Sequence, residues 1–277
     1  MSWHSIIGLL FICCAGSASA EGYIVALGAE TDTDDSRSFS AFGELSTGEN
    51  TWVSAGAAGS RTDGPDGRFD AIYADARLDH LFDPVGIRLA AAYWGDPDVL
   101  DSVDLRASIY IRKERWSLSG DFERRDYDLV IGPPLIRASR TIGFGANGLG
   151  FAGRLKTSDR VSAYLGGMWY DYSGTVSAES RITDLRYLSL TRLILAHGLL
   201  DSKAHAGVEV ELGEKSLDFR YSIWRGFADH GRIDSLGIGY VMPLSASTDL
   251  ELRLSRDDSD TFGDSTVFSI YLYFFGA

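Results

Sequence analysis

Charged side chains recur at every second position in several stretches, and that spacing limits the chemistry they can do. Arg77 stands between Asp75 and Asp79, Asp104 shares its phase with Arg106 and Arg112, and Asp121 leads to Glu123 and Arg125. The pattern returns in His205, Glu209 and Glu211, in Asp218 and Arg220, and in Asp249, Glu251 and Arg253; Arg88 stands by itself in its segment. Side chains two residues apart on a β-strand point to the same face, so each group forms a row. Such a row attracts or repels ions moving along it, whereas a hydrolase needs an acid, a base and a nucleophile converging on one point.

Other chemistry-bearing groups lie between these rows. Asp32, Asp34 and Asp35, then Asp63 and Asp66, then Asp96, Asp98 and Asp101, and finally Asp257, Asp258, Asp260 and Asp264 form oxygen-rich clusters of the kind that suits Ca²⁺ or Mg²⁺. None has the Gly and Glu spacing of an EF-hand, and most are expected to be solvated loop residues. Gly143 to Gly148 imitates a dinucleotide fingerprint, but no helix follows it. There the apolar phase changes from Ile142 and Phe144 to Leu149 and Phe151, which predicts a glycine bulge. No cofactor is expected beyond divalent cations at the aspartates.

The net charge of −13, from 26 Lys+Arg against 39 Asp+Glu, argues against a nucleic-acid partner, which requires clustered Lys and Arg. With 45% hydrophobic residues, 31 Gly and 6 Pro, the chain is expected to fold, either as one large domain or as two small ones. Both cysteines, Cys13 and Cys14, lie in an opening segment where Ile6, Ile7, Leu9, Leu10, Phe11 and Ile12 run up to Ala18-Ser19-Ala20. This is the layout of a signal peptide over residues 1–20, with Glu21 starting the mature chain, although Met1 to His4 carries no Lys or Arg. Bulky Phe11 and Ile12 before the cysteines argue against a lipoprotein. A cleaved chain has no thiol, which excludes disulfides and thiolate chemistry.

The elements that must position the charged rows are strands. Leu250, Leu252 and Leu254 interleave with Asp249, Glu251 and Arg253; Val103, Leu105, Ala107, Ile109 and Ile111 interleave with Asp104, Arg106 and Arg112. Counting this alternation predicts strands near 22–30, 37–45, 51–60, 68–80, 86–94, 103–112, 116–125, 140–155, 160–172, 203–212, 216–226, 232–242, 248–256 and 266–275. Every second connector is short, as at 46–50, 81–85, 113–115, 156–159, 213–215 and 243–247. Those between them mostly run longer, at 31–36, 61–67, 95–102, 126–139, 173–202 and 257–265, with 227–231 the exception. A membrane barrel sorts its loops in this way and a soluble sandwich has no reason to. Aromatics near strand ends (Tyr23, Trp52, Tyr93, Trp94, Trp116, Trp169, Tyr170, Tyr172, Tyr271, Tyr273, Phe274 and Phe275) fit interfacial girdles.

With its signal-peptide layout, fourteen alternating segments, loop asymmetry and closing strand Val267 to Phe275, the chain resembles the Gram-negative outer-membrane β-barrel, porin-like class. The resemblance implies an all-β, antiparallel up-and-down transmembrane barrel over 21–277, located in the outer membrane after export to the periplasm. It implies outer-membrane lipid, lipopolysaccharide and the barrel-assembly machinery as partners. Class members usually end on an aromatic residue; here Gly276 and Ala277 follow Phe275.

If the apolar faces meet lipid, the charged rows, together with Tyr73, line the lumen, because lipid rejects charge at mid-depth. Arg88, Arg106 and Arg112 then form a basic wall and Glu209, Glu211, Asp249 and Glu251 an acidic one; the alternative is pairing across strands. The expected activity is passive conduction of small solutes. A non-conducting structural barrel or an outer-membrane hydrolase are the alternatives. The hydrolase has little support, since a barrel lipase places Ser two residues after its His, and here Phe82, Leu199, Gly207 and Arg232 follow His80, His197, His205 and His230. Asp229, His230, Asp257 and Asp258 make the least unsuitable catalytic set. The thirty-residue connector from Ser173 to Ser202 carries Leu185, Leu188, Leu195 and Leu199 at helical spacing and is expected to fold into the barrel mouth; two further strands, near 186–194 and 195–202, would give sixteen.

Overall fold

The computed structural model describes residues 22–64, 67–131, 140–173, 198–227, 230–260 and 263–276. The signal-peptide expectation over residues 1–20 lies outside them. Alternating sequence becomes fourteen strands: β1 (Gly22–Asp32), β2 (Arg37–Gly48), β3 (Thr51–Gly64), β4 (Gly67–Leu81), β5 (Val85–Asp96), β6 (Leu100–Arg112) and β7 (Trp116–Ile131). The second half comprises β8 (Arg140–Ser158), β9 (Val161–Tyr172), β10 (Leu200–Leu212), β11 (Lys215–Gly226), β12 (Arg232–Ser245), β13 (Thr248–Ser259) and β14 (Gly263–Gly276). Each strand pairs antiparallel with its sequence neighbours, and β1 pairs with β14, so the sheet closes without an edge. β9 pairs directly with β10, which fixes the count at fourteen and overturns the sixteen-strand alternative.

Closure sorts the side chains. Cross-strand partners share a face, and following the register round the sheet returns to β1 on the same phase. Leu89, Leu105, Leu118, Leu149, Leu165, Leu236 and Leu254 all stand on the outer face and remain largely exposed, Leu149 and Leu236 at 67% each. Exposed leucine on every side is stable only against lipid. On β12 the outward positions from Leu236 to Leu244 cover about 26 Å of strand, or about 20 Å normal to the membrane at a tilt of about 40°. That approaches the apolar band of about 25 Å that such barrels carry. No helix among the described residues is long and apolar enough to cross a membrane; the crossing is made by strands.

Three local expectations need correction. The connectors at 61–67, 95–102 and 257–265 are mostly strand: β3 and β4 run to Gly64 and from Gly67, β5 and β6 to Asp96 and from Leu100, β13 and β14 to Ser259 and from Gly263. Above the bilayer both faces of a strand meet water, so the apolar signal stops while the hydrogen-bonded ladder continues. Second, the β7–β8 register is unbroken from Trp116↔Leu155 to Ile131↔Arg140, so there is no bulge at the Gly143–Gly148 stretch. The apparent phase change arises because Ile142 and Phe144 face inward, opposite Leu129 and Tyr127. Third, Trp52, Trp94, Tyr170, Tyr172, Tyr271, Tyr273 and Phe275 share the inner phase and belong to no lipid girdle; Trp94 is fully buried. Outward aromatics include Tyr23, Trp116 and Phe274 toward the short turns and Phe39, Tyr93, Trp169 and Phe268 toward the other rim, with Phe122, Phe151 and Phe219 also on the outer phase.

The short turns lie with both strand termini on one side. The β10–β11 turn needs Gly213, whose φ of 73° falls in the left-handed region that a Cβ disfavours.

Candidate functional site: the inner face of the barrel

Arg77, Arg88, Asp104, Arg106, Arg112, Asp121, Glu123, His205, Glu209, Glu211, Asp218, Arg220, Asp249, Glu251 and Arg253 all fall on the phase opposite the exposed leucines. Several contacts confirm that this phase is concave, because they reach over an intervening strand. Tyr110 on β6 donates to Asp79 on β4 at 2.5 Å, Tyr170 on β9 to Glu123 on β7 at 2.7 Å, and Tyr164 on β9 to Asp218 on β11 at 2.6 Å. Two side chains separated by a whole strand can meet only inside the curve of the sheet.

The two walls of opposite charge do not form. Arg88 pairs with Asp79 at 2.7 Å, Arg106 with Glu123 at 2.6 Å and with Asp104 at 3.1 Å, Glu209 with Arg154, and Glu251 with Arg253. Opposite charges on the same strand, on the next or on the next but one come within 4 Å, and at that range a local pair outweighs a distant wall. Arg112 has its guanidinium 5.6 Å from the Tyr110 ring, and Asp121 accepts from Ser119 at 2.9 Å.

The tightest set lies on β6, β7 and β9. Arg125 and Asp104 are fully buried and Glu123 nearly so, with Arg125 3.2 Å from Glu123 and 2.7 Å from the Tyr170 hydroxyl. Arg125 and Tyr127 also donate to the carbonyl of Gly198, at 3.2 Å each. Around this set Phe69, Trp94, Leu100, Leu129, Tyr170 and Leu200 form an apolar cluster on the concave side. The end of the long connector thus enters the barrel at Gly198 and is held there; its remainder at 174–197, including His197 and the helical leucines before Leu199, lies outside the described residues.

Glycines on the inner phase explain how the tyrosines reach so far. A Cβ on Gly86 would sit 2.0 Å from the Tyr110 ring, one on Gly148 2.7 Å from Tyr170, one on Gly207 2.3 Å from Tyr164, and one on Gly28 2.6 Å from Tyr271. Each ring lies flat over the glycine of the next strand. An aromatic side chain laid on the wall does not obstruct the lumen.

A cavity of about 360 Å³ opens on β8 to β11, lined by Arg154, Tyr164, Lys203, His205, Arg220 and Trp224. Sequence reading missed Arg154, Tyr164, Lys203 and Trp224 as site residues. Their inner phase was legible in the alternation of their strands; their convergence depends on the stagger between strands, which alternation does not carry.

Within the suggested catalytic set Asp257 faces inward and Asp258, its neighbour on β13, outward, so these two do not converge; Asp229 lies outside the described residues. Among the described residues no three His, Asp or Glu side chains group as metal ligands. Several of the aspartates serve the backbone or a neighbour instead: Asp32 accepts from the amides of Asp34 and Ser36 at 2.9 and 2.8 Å, Asp96 from that of Asp98 at 3.0 Å, and Asp101 from the Tyr93 hydroxyl at 2.9 Å.

No family model matches this chain, and no curated protein does. Solved structures do. The CymD monoaromatic hydrocarbon channel superposes with a TM-score of 0.56 at 9% identity, over 93% of this chain and 89% of that one. OmpTdeltaL8, a loop L8 deletion mutant of OmpT, an outer membrane protein of Vibrio cholerae, gives 0.51 at 6% identity, over 93% and 99%. The KdgM porin in complex with disordered oligogalacturonate gives 0.45 at 8%, over 91% and 98%. At such identities the likeness concerns the fold alone: this chain shares with them a closed antiparallel β-barrel, here of fourteen strands.

Proposed function

We propose that the protein is a passive outer-membrane channel for small hydrophilic solutes. The observation that carries this reading is the polar inner face of a closed fourteen-strand barrel on which large aromatic rings lie flat against glycines. Fourteen strands spaced about 4.8 Å apart and tilted about 40° close on a backbone diameter of about 28 Å. Side chains about 6 Å long on either wall leave about 15 Å, enough for hydrated ions and small organic molecules. Conduction of this kind needs no catalytic group. Delivery to the outer membrane by a cleaved signal peptide, recognition of the closing strand by the assembly machinery, and contact with lipopolysaccharide belong to the same reading. Liposome swelling tests it: vesicles containing the refolded protein should swell in isotonic arabinose and not in a large dextran. Failure to swell in arabinose refutes conduction.

One observation favours a second reading. The apolar cluster around Trp94 and Leu100, with Gly198 held at Arg125, fills part of the concave side on the loop end. A non-conducting barrel closed at that end would leave the same vesicles inert.

A further inference from the structure

The cavity on β8 to β11 is chemically one-sided. Arg154, Lys203 and Arg220 bring three cations to it, and His205 adds an imidazole, while no carboxylate is among the described residues that line it. Two of the cations are matched next door: Arg154 binds Glu209, and Arg220 lies 3.5 Å from Asp218. The third is not. The ammonium of Lys203 meets the ring of Tyr170 at 5.9 Å and makes no close ion pair among the described residues, although Glu123 and Asp104 act on its charge from farther off. The neighbouring acids Glu123 and Asp104 are already engaged by Arg106 and Arg125. Among the described residues the cavity therefore carries one cation, Lys203, that no close ion pair engages.

Its remaining wall suits a ring. Trp224 lines it, and Tyr164 is fixed there by donating to Asp218 at 2.6 Å and accepting from Arg220 at 2.9 Å. The volume of about 360 Å³ falls at the small end of ligand pockets, which run from about 300 to 1,000 Å³. We propose that this cavity is a binding site for a small monoanion that carries a ring, with its carboxylate on Lys203 and its ring against Trp224. One carboxylate neutralises the one ammonium that no close ion pair engages, and a charge-assisted hydrogen bond in a recess of the wall outweighs its counterpart in bulk water. A dianion would overcharge the site, and a neutral ring would leave Lys203 without a partner. The proposal rests on the channel reading by naming what the channel prefers, but the site itself can be tested without transport.

The test uses the refolded full barrel in detergent micelles, with benzoate as the probe and benzyl alcohol as its neutral counterpart. Binding is read by titration calorimetry and by Trp224 fluorescence, with Trp224→Phe identifying the signal. Benzoate should bind about tenfold or more tightly than benzyl alcohol, the ratio set by one charge-assisted hydrogen bond. Lys203→Met should remove that preference and Lys203→Arg should keep it, each variant first shown to be folded by heat-modifiable gel mobility. Equal affinity for the two probes in the wild type overturns the proposal, as does full preference retained in Lys203→Met. Because binding is measured in micelles, a barrel that binds benzoate but passes no solute refutes conduction alone, and one that conducts without discriminating refutes the site alone.

Discussion

Replacing Gly86 with Ala tests how the inner wall is built. The added Cβ would lie 2.0 Å from Cζ of Tyr110 and 2.4 Å from its hydroxyl, so the ring must rise by roughly 1.5 Å to regain an ordinary contact of about 3.5 Å. That movement breaks the 2.5 Å hydrogen bond to Asp79, two strands away, and shifts the ring from under Arg88 and Arg112. A hydrogen bond to a charged group contributes about 1.5–3 kcal/mol, and each exposed cation–π contact about 0.5–1 kcal/mol. Allowing for contacts that re-form, Gly86→Ala should destabilise the barrel by about 2–4 kcal/mol. On a Tyr110→Ala background the same change should be neutral or stabilise by a few tenths of a kcal/mol, because Ala suits a strand better than Gly once nothing lies above it. Urea unfolding in phospholipid vesicles, followed by tryptophan fluorescence, measures both. An equal cost with and without Tyr110 would refute the idea that the glycine exists to seat the ring.

Two further outcomes follow from the same structure. Arg125→Met leaves Glu123 and Asp104 buried without their central cation and should cost about 3–5 kcal/mol in the same unfolding assay, whereas Arg61→Met, from an exposed pair with Asp70, should cost no more than about 1 kcal/mol. Leu89→Arg sets a charge in the lipid belt and should cost about 2–4 kcal/mol. Ala90→Asp, one residue on and facing Arg77 and Arg106 from the inner phase, should stay within about 1 kcal/mol.

The existence of all fourteen strands was legible because lipid on one face and water on the other impose a period of two on the chain. The same rule hid their full lengths: residues such as Arg61 to Gly64 lie beyond the bilayer, where the pattern no longer distinguishes the faces. Trp94 shows the cost of reading position instead of phase. It follows Tyr93 directly, so if Tyr93 meets lipid Trp94 must face inward, where it is fully buried beside Phe69 and Leu100. Phe144 misled for the opposite reason, since its phase was visible but an apolar residue was assumed to face lipid; it stacks on Tyr127 at 5.1 Å inside the barrel. The alternation puts the charged residues of the site on one phase of their strands, but it does not carry their pairings, because Arg154 meets Glu209 across β9 and Tyr164 meets Asp218 across β10. Those meetings are set by the shear of the closed sheet and by Gly207, whose missing side chain lets Tyr164 pass.

A cysteine scan along β10 during single-channel recording tests the central claim most directly. The chain has no cysteine after Cys14, so positions from Ala204 to Glu211 can be replaced singly and exposed to a charged, membrane-impermeant methanethiosulfonate. An open channel is expected whose conductance changes on modification at 205, 209 and 211 and not at 204, 206, 208 and 210, with Gly207 left unreplaced because the Tyr164 ring lies over it. A silent bilayer, or modification without that alternation, would contradict the claim.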